Sequence, residues 1–380
     1  MRCRQSPTSL VCCLFAFAIG SAYFVAAASA AERWTPQQAN DWYKAQPWLV
    51  GCNYLPSTAI NQLEMWQPET FDPATIDREL GWAESLGFNT VRVFLHDLPW
   101  KDNREAFHKN VDKFLEIAAK HNIRPMLVFF DGVWDPDPQN GPQNRPRVGV
   151  HNSGWVQSPG RVILVDNAEQ EALKPYVTGL LTRYAKDKRV LAWDLFNEAD
   201  NLNGNSYGPL ELKNKDEVSA RLVKLSFEWA RQVGTTQPLT VCLWIGNDWD
   251  KPEKLNRVHR AAVELSDVIS FHDYSKPDVM LNRIHQLRKY DRPLLCTEFM
   301  ARGAGSTFEA ILPILKKENV AAYCWGLVDG KSQTKYPWHT WQLPIIGEPD
   351  PWHHDVFHTD GKPYREAEVK LIREVTGHTK

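Results

Sequence analysis

Eight short apolar runs, each followed by a longer amphipathic stretch, most tightly limit what this chain can fold into. They read WLVGCNYL (48–55), TVRVFLH (90–96), RPMLVFF (124–130), VLAWDLF (190–196), LTVCLW (239–244), VISFHDY (268–274), PLLCTEF (293–299) and AYCWGLV (322–328). Apolar runs of this length, rich in β-branched and aromatic residues, are strands covered on both faces. Between them lie helical patterns such as ATIDRELGWAESLG, where Ile76, Leu80, Ala83 and Leu86 recur at helical spacing before Gly87 supplies a stop. NVDKFLEIAAKHN, AEQEALKPYVTGLLTRYAKD, DEVSARLVKLSFEWARQVG, residues 253–265, DVMLNRIHQLRKY, TFEAILPILKKEN and REAEVKLIREVTG continue the series. This alternation predicts an α/β fold, a single closed parallel (β/α)8 barrel (TIM barrel) over residues 31–380. An open doubly wound sheet fits less well, because no glycine-rich phosphate turn follows the first strand.

In such a barrel, functional groups gather at the C-terminal ends of the strands. Two of the connections there are long: residues 131–166 after strand three, carrying Trp134, His151 and Trp155, and residues 329–358 after strand eight, carrying Trp338, Trp341 and Trp352. Loops of that length are usually functional, and indole faces suit the apolar face of a sugar ring, although any single tryptophan serves equally well as a loop anchor.

The 380 residues are 43% apolar and 24% charged, enough to bury a large core. A net charge of −2 provides no basic field to recruit nucleic acid. At the N-terminus Arg2 and Arg4 precede an apolar run ending in Ala28-Ser29-Ala30, so residues 1–30 read as a signal peptide of an exported protein, secreted or periplasmic. The run is also just long enough to remain as an uncleaved membrane anchor. Cys52, Cys242, Cys296 and Cys324 lie inside strand-like runs without CxxC spacing and read as small buried hydrophobes; a disulfide pairing among them is left open.

The strand ends bring Asn53, Arg92, His96, Asp131, Asn197, Glu198, Trp244, His272, Tyr274, Glu298 and Trp325 to one bowl. Glu198 and Glu298 stand out. Two carboxylates across a gap are the minimum equipment for glycosidic hydrolysis, one to protonate the leaving oxygen and one to attack. Arg92 by charge and Tyr274 by its hydroxyl can hold one of them as the anion.

Asn197-Glu198 ending strand four and Glu298 in TEF ending strand seven, with Arg92 in TVRVF, His272-x-Tyr274 and Trp325, resemble in order the clan A retaining glycoside hydrolases, and most closely family 5, the cellulase and mannanase family. That resemblance implies Glu198 as acid/base and Glu298 as nucleophile. It further implies Asn197 on a sugar 2-hydroxyl, Tyr274 and Arg92 tuning Glu298, His272 lining the subsite and Trp325 as its floor; Asn53 and Trp244 join them as substrate-binding positions. The implied activity is endo cleavage of a β-1,4-linked xylan, mannan or glucan, the alternatives being an exo-acting β-glycosidase or a non-catalytic carbohydrate-binding barrel. Asp131 departs from the family, whose members commonly carry histidine near the end of strand three. No metal and no cofactor are expected. His354 and His358 have ligand-like spacing around Asp355, but no carboxylate or cysteine cluster completes a site. The expected partner is a neutral polysaccharide or oligosaccharide, and the expected state a monomer.

Overall fold

A computed structural model describes residues 1–3 and 31–379. The expected signal segment, apart from its first three residues, lies outside the described residues. No helix among the described residues is long and apolar enough to cross a membrane.

The strands are Val50–Asn53 (β1), Thr90–Phe94 (β2), Met126–Asp131 (β3), Ala192–Asn197 (β4), Leu239–Thr240 (β5), Cys242–Leu243 (β6), Ile269–His272 (β7), Leu294–Phe299 (β8) and Ala321–Trp325 (β9). All pairings are parallel, and β1 joins both β2 and β9. The apparent ends of the sheet, β5 on β4 and β6 on β7, are two halves of one strand interrupted at Val241. Eight staves therefore close a barrel, as the alternation predicts. Val241 turns its N–H to the Ser266 hydroxyl (3.1 Å) instead of the ladder.

Helices form the outer layer. In Pro73–Ser85 the Asp72 side chain caps the Thr75 amide, proline opens the first turn, and Ile76, Leu80 and Ala83 are fully buried. Gly87 beyond it has φ +76°, the left-handed stop. The stretch 167–187 is two helices, Asn167–Ala172 and Lys174–Tyr184, rather than one, with Pro175 opening the second. A helix the apolar pattern does not announce, Pro36–Lys44, starts with a Thr35/Gln38 capping box. Its Ala39 and Tyr43 join Leu49, Met126, Leu191, Val268, Leu295 and Tyr323, which plugs the N-terminal mouth of the barrel. Among the described residues this leaves the C-terminal mouth for ligands.

Cys52, Cys242, Cys296 and Cys324 are buried free thiols. His354 and His358 do not converge: His354 is fully buried with Nδ1 donating to the Met300 carbonyl (2.6 Å), whereas His358 packs edge-on against Trp352.

Candidate active site

Charged residues inside an apolar barrel must find partners, and Arg92 sets the pattern. Its side chain is fully buried. Nε and Nη2 donate to Asp194 Oδ2 (3.0 and 2.8 Å), Nη1 to Asn53 Oδ1 (2.9 Å) and Glu298 Oε1 (3.1 Å), and Nη2 also to Asn197 Oδ1 (2.7 Å). One guanidinium thereby ties β1, β4 and β8 together and charges the oxygen it touches on Glu298. Asn53 also donates to the Thr297 carbonyl (2.8 Å). Its amide is thus occupied behind Arg92, outside the pocket, and it acts as a brace.

Glu298 accepts a second strong hydrogen bond at Oε2, from the Tyr274 hydroxyl (2.7 Å). Facing it, Glu198 accepts from Asn201 Nδ2 (2.7 Å), while its other oxygen lies 2.7 Å from His272 Nδ1. His272 also reaches within 3.5 Å of Glu298. Single oxygens of the two glutamates and the His272 nitrogen all lie within 4.8 Å of one another. Burial is the main reason both carboxyls are pushed up to about 7; each is further affected by its neighbours, Glu298 being lowered by His272 and raised by Glu198. Burial likewise pushes His272 down to about 4, so its ring is neutral near pH 7.

Backbone geometry delivers Glu198. Its φ is +39°, strained for a non-glycine residue at the end of a strand. Gly132 N–H holds the preceding carbonyl, Asn197 O (2.9 Å), and a Cβ on Gly132 would fall 2.4 Å from the Glu198 carbonyl oxygen. Only glycine permits that approach. Buried Lys215 ties the same region together, donating to the carbonyls of Gly132 (2.8 Å) and Asn201 (2.6 Å) and to Glu211 (2.9 Å). Asp131, where the family commonly has histidine, accepts from Asn197 (2.9 Å) and Trp155 (2.6 Å), and burial pushes its carboxyl up to about 6.

Above these groups opens a pocket of about 330 Å³ lined by Glu198, Glu298, Asn197, Tyr274, Trp244 and Trp325 from the strand ends, with Trp134, Asn152, Trp155, Trp338 and His354 from the long loops. That size is at the small end for ligand pockets, ~300–1,000 Å³. Among the described residues, no lysine or arginine lines it. Arg92, His272 and Asn53 lie beneath, so of the residues expected from sequence these three support the site from below.

The two long loops meet over one side. Trp134 and Trp341 stack with centroids 5.3 Å apart, the His151 amide donates to Thr340 Oγ1 (2.9 Å), and Ile345 N–H donates to the Gly149 carbonyl (3.1 Å). The β4 loop joins them, through Trp134 N–H to Asn203 Oδ1 (2.9 Å) and Gln342 to the Asn205 carbonyl.

Sequence reasoning passed over Asp194, Asn201, Asn152 and Lys215. Asp194 had a signal, a lone acid in the apolar run AWDLFN that demands a buried partner.

Fold and site together define a (β/α)8 barrel with a paired-glutamate pocket at the C-terminal ends of its strands. No family model and no curated protein matches the chain by sequence. Among solved structures it is similar to GH5_18 from Streptomyces cattleya in complex with GlcNAc, with TM-score 0.58 and 13% identity over 87% of this chain and 80% of that one. The exo-β-1,4-mannosidase Op5Man5 from Opitutaceae bacterium strain TAV5 gives 0.55 at 17% identity, over 87% of this chain and 60% of that one. The endo-1,4-β-mannanase from Rhizomucor miehei gives 0.52 at 13%, over 88% and 95% respectively. At these identities the likeness is one of fold, and at that level it agrees with the resemblance to glycoside hydrolase family 5 drawn from the strand-end residues.

Proposed function

We propose that the protein is an exported, monomeric retaining β-glycoside hydrolase acting by double displacement on a neutral β-1,4-linked glycan. The carrying observation is the approach of Glu198 and Glu298, with oxygens no more than 4.8 Å apart. Carboxyls about 5–5.5 Å apart suit direct attack, whereas inverting enzymes need ~6.5–9.5 Å to admit a water.

Within the pair the negative charge belongs on Glu298, because the Arg92 guanidinium and the Tyr274 hydroxyl both donate to it. Glu198 then keeps the proton. In the first step the Glu298 carboxylate attacks the anomeric carbon as the glycosidic C–O bond breaks, and the Glu198 proton passes to the leaving oxygen. In the second, Glu198 takes a proton from water, whose oxygen displaces Glu298 from the sugar. A pocket of indoles and amides without lysine or arginine suits an uncharged sugar. The tryptophan-bearing loops and the neutral lining favour a plant-type xylan, mannan or glucan as the source. Export rests on the N-terminal pattern of residues 1–30.

An anomeric-proton NMR time course on β-1,4-linked oligosaccharides tests this reading: the β-anomer must appear first, and initial release of the α-anomer refutes it. The kcat/KM profile is expected to be a bell centred near neutrality, rising as the pair loses its first proton and falling as it loses the second. In Glu198→Gln a neutral amide replaces the neutral acid beside which Glu298 first ionises, and the second ionisation, the one opposed by a neighbouring charge, no longer exists. The acid limb should therefore stay close to its place and the alkaline limb vanish on dinitrophenyl glycosides. Glycosides with poor leaving groups should slow by about 10²- to 10⁴-fold. An unchanged bell in this variant would remove Glu198 from the role.

A further inference from the structure

We propose that the walled side of the pocket is a subsite for the terminal, non-reducing sugar, with Asn152 and His354 as its hydrogen-bonding residues, so that the enzyme removes one sugar at a time from chain ends. This inference rests on the hydrolase reading and specifies its mode of action.

Both side chains are fully buried and line the pocket. The Asn152 amide nitrogen and oxygen and His354 Nε2 have no protein partner. Buried polar atoms left unpaired are rare and costly, so such atoms together on a pocket wall point to a polar ligand. Their chemistry fits a sugar. His354 Nδ1 must be the donor to the Met300 carbonyl, and burial holds the ring neutral, which leaves Nε2 as an acceptor for a hydroxyl. Asn152 offers a donor and an acceptor, and φ +47° holds it in a conformation that asparagine tolerates better than most residues.

Their position fits the glycone. Tyr274, bonded to Glu298, packs against Trp338 (5.0 Å) and His354 (5.7 Å), so this wall stands on the side of the carboxylate that keeps the sugar. Glu198, with Asn201 and the nearby Trp244–Asp200 pair, stands on the leaving-group side. The contacts linking the β3 and β9 loops adjoin this wall through His151, whose ring packs against Trp134 (5.6 Å) and His354 (5.5 Å), and on this proposal they bar a glycan from continuing past the glycone. A cleft for internal attack must be open on both sides; on this proposal the pocket is closed on one.

The test uses β-1,4-linked manno-, gluco- and xylo-pentaoses tagged at the reducing end. Tagged tetraose should appear first and tagged triose only later; tagged products of several lengths from the earliest time point overturn the proposal and leave the two-glutamate reading standing. Inertness of the folded protein on the whole panel overturns both. Asn152→Ala should lower kcat/KM about tenfold, equally for aryl monoglycosides and pentaoses, without moving the pH profile. His354→Gln, which keeps an acceptor, should lose less than His354→Ala. A wild-type kcat/KM in folded Asn152→Ala and His354→Ala removes both residues from the subsite.

Discussion

Glu298→Ala should lower kcat on an aryl β-glycoside by about 10⁵-fold, close to 7 kcal/mol of transition-state stabilisation at 1.36 kcal/mol per decade. The expected loss is large because nothing else in the pocket can take over. Glu198 is hydrogen-bonded to Asn201 and adjoins His272 on the opposite side, and Asp131 is already occupied by Asn197 and Trp155. Truncation opens a space beside Arg92 and Tyr274, whose donors formerly met the carboxylate. Azide fits that space, finds those donors, and can attack the anomeric carbon from the same face. Rescue should therefore yield a glycosyl azide of inverted, α, configuration, detectable by its anomeric coupling. Azide rescue with retained configuration would contradict the placement of Glu298 opposite the leaving group, and a near wild-type rate without azide would end its assignment as nucleophile.

The eight staves were legible because a strand covered on both faces must be apolar along its length, and runs such as AWDLFN and LLCTEF have no other comfortable environment. The two glutamates were legible for a related reason: a carboxylate directly at or after the end of such a run can only emerge at the strand tip. What the apolar pattern hides is anything set by long-range contacts. Asn152 and His354 lie far from any strand end in sequence, and the loops holding them are shaped by pairings such as Trp134 on Trp341 that no local propensity encodes. The break at Val241 was hidden because LTVCLW reads as one uninterrupted strand. The bracing contact of Asn53 was hidden for a subtler reason: periodicity puts it at a strand tip, where it lies, but cannot tell that Arg92 occupies its amide oxygen. The helix Pro36–Lys44 did carry a signal, the Thr35-to-Gln38 capping box, masked by its proximity in sequence to the N-terminal apolar run.

Arg92 should prove as important to stability as to turnover. Arg92→Met leaves Asp194 fully buried without its ion pair, and stranding one member of such a pair costs about 3–5 kcal/mol, measurable as a lower urea midpoint. Arg92→Lys is not a remedy, because one ammonium cannot reproduce a planar fork that bonds Asn53, Asp194, Asn197 and Glu298 together. Adding Asp194→Asn separates the two roles. In the double variant the stranded charge is gone, so much of the lost stability should return. Turnover should not, since Glu298 and Asn197 still lack the guanidinium that charges the one and orients the other. Recovery of kcat/KM together with stability in Arg92→Met/Asp194→Asn would show that Arg92 acts only as scaffold, and that Glu298 needs no cation to hold its negative charge.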